Sequence, residues 1–189
     1  MMRSDMNLFL SNSLPIRWAD MYAPAHPGFP RVIVNRGANG IDGIVSTAAG
    51  VARASARTTV CLLGDLTFLH DPSGLWRLCV EHVPLKLIVL NNDGGGVFHF
   101  LPIASHSDHF ENLVAMPHGI QISHLAAAHG ITYNLAHSRE HFSELFNTCL
   151  NRPGPEIIEV RTNRVGNHKR HQQVIEQVKR AVRDTLGLA

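Results

Sequence analysis

Two short apolar runs, Thr58–Leu63 (TTVCLL) and Leu85–Leu90 (LKLIVL), constrain the fold of this chain most. Runs of that length without alternation suit strands buried on both faces, as in a parallel sheet. Weaker strand signals sit at Asn7–Leu10 (NLFL), Arg31–Val34 (RVIV) and Glu156–Arg161 (EIIEVR). Helical patterns fall between them. The alanine-rich segment Ile44–Ala56 reads as a buried helix. A helix is predicted near Leu75–Glu81. Ser138 caps another, with Phe142, Leu145, Phe146, Cys149 and Leu150 along one face. Asn12-Ser13 reads as a turn and helix cap. A basic amphipathic helix closes the chain over 168–188, its apolar stripe docked and its Lys/Arg face solvated. Alternating β and α signals predict an α/β fold: a doubly wound, mostly parallel sheet flanked by helices, one domain over 1–189.

Composition adds exclusions. A hydrophobic share of 44% and a charged share of 17% describe an ordinary globular chain. A net charge of +2 gives no electrostatic reason for a nucleic-acid or membrane partner. No stretch approaches the roughly 20 apolar residues of a membrane span. The first ten residues lack a secretory pattern. Of the cysteines, Cys61 lies in a strand and Cys149 on an apolar helix face, with Cys79 between them and no CxxC pair. They read as reduced, structural thiols in a reducing compartment.

The chemistry gathers where the strands end. Gly64-Asp65 follows the first run and Asn91-Asn92-Asp93-Gly94 the second, with Asp65 and Asn92 separated by 27 positions. A carboxylate, an amide oxygen and a glycine carbonyl make an all-oxygen set suited to Mg²⁺, which keeps open positions for phosphate oxygens. Carboxyl ends of parallel strands are where open α/β sheets bind ligands. A second signal is Asn35–Gly43 (NRGANGIDG), whose glycines permit close backbone approach. The helix that follows offers its first N–H groups to an anion. His99, His106, Asp108 and His109 cluster in one loop. Their spacing matches no regular zinc site, and they read as polar residues of a loop or pocket edge.

The Gly-Asp…Asn-Asn arrangement resembles the diphosphate-binding motif of thiamine diphosphate (ThDP) enzymes. More specifically, NRGANGIDG, Asn12-Ser13-Leu14 with Arg17, Asn91–Pro102 (NNDGGGVFHFLP) and Pro117-His118 resemble segments of the 2-succinyl-5-enolpyruvyl-6-hydroxy-3-cyclohexene-1-carboxylate synthase (MenD) family. Leu66, where most ThDP enzymes carry a third glycine, also fits that branch. The resemblance implies ThDP and Mg²⁺ (or Mn²⁺) as cofactors, with Asp65, Asn92 and Gly94 as metal ligands. It implies that Ser13, Gly64, Leu66, Thr67 and Gly95 meet the cofactor. Ile41 would press on the hinge between its two rings. Val97, Phe98 and Leu101 would form an apolar floor, and Arg17 and Arg36 would bind substrate carboxylates.

The substrates so implied are 2-oxoglutarate, which is decarboxylated, and isochorismate, which receives the succinyl unit in quinone biosynthesis. The family's activating glutamate belongs to a pyrimidine-binding domain. No segment here matches that domain or the family's middle domain. The 189 residues alone are therefore expected to be inactive, to need a pyrimidine-binding domain from the same enzyme or a partner subunit, and to form a homo-oligomer. Two other readings stay open: a subunit of a split ThDP-dependent decarboxylase, and a non-enzymatic ThDP- or nucleotide-binding module. The expected setting is a bacterial cytoplasm or a plastid stroma.

Overall fold

In the computed structural model the described residues are 2–24, 26–37 and 39–187; of Ser107 only the backbone is described. Ala38 of the glycine-rich turn and Leu188 of the predicted last helix lie outside them. Six strands form one sheet: β1 (Asn7–Leu10), β2 (Arg31–Val34), β3 (Thr59–Gly64), β4 (Leu85–Asn91), β5 (Thr132–Ala136) and β6 (Glu156–Arg161). Their order is β2-β1-β3-β4-β6-β5, and every pair is parallel. β1, β2 and β6 match the sequence expectation, β3 is shifted one residue towards the C-terminus, and β4 runs one residue further. β5 carries no strong sequence signal. It is an edge strand with a half-exposed TYNLA pattern, so the double-sided burial that marks β4 is missing.

Period-two alternation sends each central strand's side chains into two cores. Phe9, Cys61, Leu63, Leu87, Val89 and Ile157 face one side. There they meet α2 (Ile44–Ser55), α3 (Asp65–His70) and α5 (Ile122–Ala128). Leu8, Leu10, Val60, Ile88 and Ile158 face the other, against α1 (Leu14–Tyr22) and α6 (Arg139–Leu150). Ser138 caps α6 as predicted, its Oγ accepting the His141 N–H at 3.1 Å. Lys86 is a buried charge within a core strand. It is 1% exposed, and its ammonium donates to the carbonyls of Arg152 and Gly154, both at 2.8 Å. The lysine thus ties the start of β4 to the turn before β6. Burial, foremost, pushes its pKa down.

Several expectations are corrected. No helix spans Leu75–Glu81. The crossover from β3 instead uses α3, a 3-10 turn at Pro72–Leu75, and further turns with Arg77 and His82 at φ 66 and 48, left-handed positions that end helical propagation. Ser13 precedes α1, but at φ 73 its side chain makes no cap bond. The loop after Leu101 contains a short helix α4 (Ser107–Phe110) and one π turn at Glu111–Ala115. The last helix, α7, runs over Arg164–Leu186 rather than 168–188. Its stripe is not docked: Ile175, Val178, Val182 and Leu186 are all exposed. Only its first turns pack on the domain, where His168 and His171 lie edge-on to Phe100.

Candidate functional site

Strand register assembles the site. β2 pairs Val34 with Leu10, β1 pairs Leu10 with Leu62, and β3 pairs Gly64 with Leu90. Continued past the strand ends, that register sets Arg36, Asn12, Gly64-Asp65 and Asn92 along one carboxyl edge. The chain leaves β1 towards β2 and leaves β3 towards β4, so the connections diverge between β1 and β3. This is the crevice where ligands bind in such sheets. A cavity of about 670 Å³ opens there. All fourteen residues named from the sequence line it: Ser13, Arg17, Arg36, Ile41, Gly64, Asp65, Leu66, Thr67, Asn92, Gly94, Gly95, Val97, Phe98 and Leu101.

Its most constrained group is the Asp65 carboxylate, 2% exposed. Oδ1 accepts the Leu66 N–H at 2.8 Å. Oδ2 accepts from Asn92 N at 3.2 Å and Gly94 N at 2.8 Å, and lies 3.2 Å from His118 Nε2. Beside it, the buried Asn92 Oδ1 has no hydrogen-bond partner. An orphaned, buried amide oxygen is costly unless something binds it. Among the described residues the Gly94 carbonyl accepts one backbone N–H, that of Gly96 at 2.9 Å, which leaves it a second lone pair. These three oxygens fit a hard divalent cation. α3 starts at the same point without a side-chain cap, so its first-turn amides adjoin the cavity.

The loop bearing Asn92 is held from several sides. Arg164, the first residue of α7, donates to the carbonyls of Asn92 (3.1 Å) and Asp93, and pairs with Glu111 at 2.6 Å. Asp93 Oδ1 accepts the N–H groups of His118 and Gly119 at 3.0 and 2.8 Å. The Gly119 bond foremost holds the Asp93 carboxyl below its ordinary range; burial opposes it, and the weaker His118 bond adds to it. Behind Asn91, fully buried Glu159 accepts from Asn91, Arg161 and Tyr133 at 2.9, 2.7 and 2.6 Å. Burial would raise Glu159, but those three bonds together keep its pKa low.

The opposite wall is looser. Arg36 is exposed and donates to Asn12 Oδ1 and Asn39 Oδ1 at 3.1 and 3.2 Å, while Asn12 reaches the Gly40 carbonyl. Arg17, also exposed, donates to the Ser13 carbonyl at 2.6 Å. At the N-terminus of α2, expected to serve an anion, one first-turn amide is taken by a carboxylate of the protein. Asp71 accepts Ser46 N–H at 2.7 Å and Ser46 Oγ–H at 2.9 Å. A carboxylate from a different element caps this helix and neutralises its positive end. Phe98 and Leu101 are exposed at the cavity mouth, at 36% and 48%, whereas Ile41 and Val97 are half-buried.

Three further residues shape the site: His118, Arg164 and His171, which lines the cavity from α7. The Pro117-His118 resemblance names His118 without a role, and Arg164 and His171 carry no local sequence signal. Of the histidine loop, His99 is buried edge-on to Phe110, with ring centroids 4.7 Å apart, and burial foremost lowers its pKa. Cys61 and Cys149 are buried free thiols, and burial raises both pKa values, that of Cys149 to about 12.

Comparison with known proteins agrees with this geometry. Residues 16–160 match the family described as thiamine pyrophosphate enzyme, C-terminal TPP binding domain; thiamine pyrophosphate is a synonym of ThDP. The chain is 39% identical over 177 residues to the 2-succinyl-5-enolpyruvyl-6-hydroxy-3-cyclohexene-1-carboxylate synthase of Bacillus velezensis, covering 94% of this chain and 31% of that protein. It is 42% identical over 175 residues to the synthase of that name from Chloroflexus aurantiacus, covering 93% and 30%. The chain thus spans about three tenths of the length of these relatives. A ThDP-dependent 4-hydroxybenzoylformate decarboxylase of Rhodococcus jostii superposes with a TM-score of 0.69 at 24% identity, over 85% of this chain and 30% of that one. At that identity the likeness concerns the fold.

Proposed function

Because the chain belongs to the family of C-terminal thiamine pyrophosphate-binding domains, we propose that its cavity holds ThDP through Mg²⁺ or Mn²⁺ as part of a MenD-type synthase. The whole protein would decarboxylate 2-oxoglutarate and transfer the succinyl unit to isochorismate. The observation that carries the cofactor reading is the buried, unpartnered Asn92 Oδ1 beside Asp65. Identity of about 40% to synthases of that name supports the choice of reaction.

When bound, ThDP supplies the carbanion stabilisation that decarboxylation of a 2-oxo acid requires. The chain supplies binding, orientation and dryness. Asp65, Asn92 Oδ1 and the Gly94 carbonyl hold the metal. Thr67, with the backbone at Gly64, Leu66 and Gly95, meets the diphosphate, and Ser13 closes the same crevice from β1. Ile41 packs on the hinge between the cofactor's rings, while Val97, Phe98 and Leu101 exclude water from the reacting centre. Arg36 presents its planar guanidinium, steadied by Asn12 and Asn39, to a substrate carboxylate. Arg17 presents another.

Activation of the cofactor falls to a glutamate of a pyrimidine-binding domain, supplied by another part of the enzyme or by a partner subunit. The 189-residue domain alone is inactive in this reading and self-associates through the apolar mouth at Phe98 and Leu101. Its thiols suit a bacterial cytoplasm. No helix among the described residues is long and apolar enough to cross a membrane.

The test is calorimetry with ThDP and Mg²⁺. The chain should bind, and Asp65→Ala should abolish the Mg²⁺-dependent part, because a charged ligand disappears beside a diphosphate. Unchanged affinity in that variant refutes the metal assignment. Tight ATP or NAD binding with none for ThDP turns the reading towards a nucleotide-binding module.

A further inference from the structure

We propose that His118 is a positioning residue that holds Asp65 as a one-oxygen ligand and so selects a small divalent cation over a large one; this rests on the cofactor reading above. Each carboxylate oxygen offers about two in-plane acceptor sites. Asp65 Oδ2 faces three donors: Asn92 N at 3.2 Å, Gly94 N at 2.8 Å and His118 Nε2 at 3.2 Å. Oδ1 meets one, the neighbouring Leu66 N–H at 2.8 Å. Oδ2 is saturated, and Oδ1 keeps the lone pair that a cation would use.

The histidine's role as donor is set by the backbone. Ile120 N–H donates to His118 Nδ1 at 2.9 Å. A nitrogen that accepts carries no hydrogen, so the ring's N–H sits on Nε2, directed at Asp65. The ring is itself held in place. Its side chain is 9% exposed, and its own backbone N–H and that of Gly119 donate to Asp93 Oδ1 at 3.0 and 2.8 Å. Asp93 belongs to the loop that carries Asn92 and Gly94. Two loops therefore close on one carboxylate, and His118 is the one side chain among the donors to Oδ2. It blocks the swing that would let both oxygens face a metal.

That restraint has a chemical consequence. Ca²⁺ accepts bidentate carboxylates in flexible shells of six to eight oxygens, whereas Mg²⁺ and Mn²⁺ suit a tight octahedron. Outer partners of metal ligands typically govern affinity by about 10- to 100-fold. Removing the His118 donor should weaken binding of the small ion and narrow its preference over Ca²⁺.

Binding of Mn²⁺ by the 189-residue chain with saturating ThDP, followed through the electron paramagnetic resonance of free Mn²⁺ and competed with Ca²⁺, tests this. His118→Leu should lose about 10- to 100-fold in Mn²⁺ affinity, with a smaller Mn²⁺/Ca²⁺ preference. His118→Gln, which keeps an N–H donor, should recover part of both. Thermal melts check that each variant folds, and His118→Met, an apolar side chain that repacks readily, is read the same way if the leucine variant does not. Unchanged Mn²⁺ affinity in a folded apolar variant overturns the proposal. So does a weaker affinity with an unchanged ion preference, because His118 would then support only the loop. If the wild-type chain binds neither Mn²⁺ nor ThDP, the cofactor reading itself falls, an outcome visible without any variant.

Discussion

Two glycine-rich turns leave the sheet on either side of the cavity, and they are built oppositely. After β4, a Cβ added at Gly94 would lie 2.3 Å from the Ala115 carbonyl oxygen; at Gly95 it would lie 2.6 Å from the Phe98 ring, and at Gly96 2.6 Å from the Asn92 amide. After β2, Gly37 and Gly43 have nothing within 4 Å of that position, and Gly40 only the Asp42 carboxylate at 3.1 Å. The first turn needs its glycines so that the protein can pack against itself. The second is loosely surrounded at Gly37 and Gly43 among the described residues, with Gly43 at φ 66. A run of glycines in a sequence therefore does not by itself say whether the turn is tightly packed or loosely surrounded. The rigid turn carries two of the proposed metal oxygens, those of Asn92 and Gly94, and the open one carries Arg36.

Substitutions can break or sharpen that contrast. Gly94→Ala should have the largest effect. It puts a side chain at φ 131 and drives a methyl into backbone. Strain and overpacking together should cost about 3 kcal/mol or more, read from urea denaturation. A near-neutral result would mean that the turn after β4 is not rigid.

Arg36→Ala tests the open turn. In the full-length enzyme it should lower kcat/KM by about 1.5–3 kcal/mol, the value of a charge-assisted contact to a carboxylate, with ThDP affinity intact. Loss of ThDP with normal substrate kinetics at saturating cofactor would make Arg36 a cofactor ligand and reverse its assignment.

Acid should loosen the rigid turn by a smaller amount. The folded pKa of Asp93 is depressed, chiefly by the Gly119 N–H. A depressed carboxyl contributes stability above its unfolded pKa of about 3.9, and that contribution is lost as pH falls through the folded value. Asp93→Asn should therefore show a shallower loss of thermal stability between neutral pH and pH 3 than the wild type. Equal slopes would show that Asp93 does not brace the loop. The smallest effect belongs to Gly37→Ala, with open space around it. It should lie between no change and a gain of about 1 kcal/mol, because alanine restricts the unfolded chain. A clear destabilisation would show that the open turn is as constrained as the other.

The legible parts of the fold are those whose signal is local. β1, β2 and β6 stand where the apolar runs place them, and the periodic face of α6 is buried through Phe146, Cys149 and Leu150. The unread parts depend on neighbours. β5 is half-exposed, so its alternation is weak. The segment at 75–81 has apolar residues at helical spacing, yet Trp76 and Val80 are 73% and 72% exposed. Asp71 leaves that crossover to cap α2, accepting from Ser46 across 25 residues of sequence. The stripe of α7 has good helical periodicity but nothing packed on its outer half among the described residues, because periodicity states which face is apolar and not what covers it.

The sequence by itself determined the α/β alternation, the parallel sheet and the oxygen-bearing residues at the ends of β3 and β4. Each of these follows from side chains a few positions apart. Only the tertiary structure decided how those oxygens are satisfied. It paired the Ser46 amide of α2 with Asp71, left Asn92 Oδ1 open, and brought His118 to Asp65 across 53 residues. A hydrogen bond needs both partners within about 3 Å, and chain folding alone sets that distance for residues so far apart in sequence.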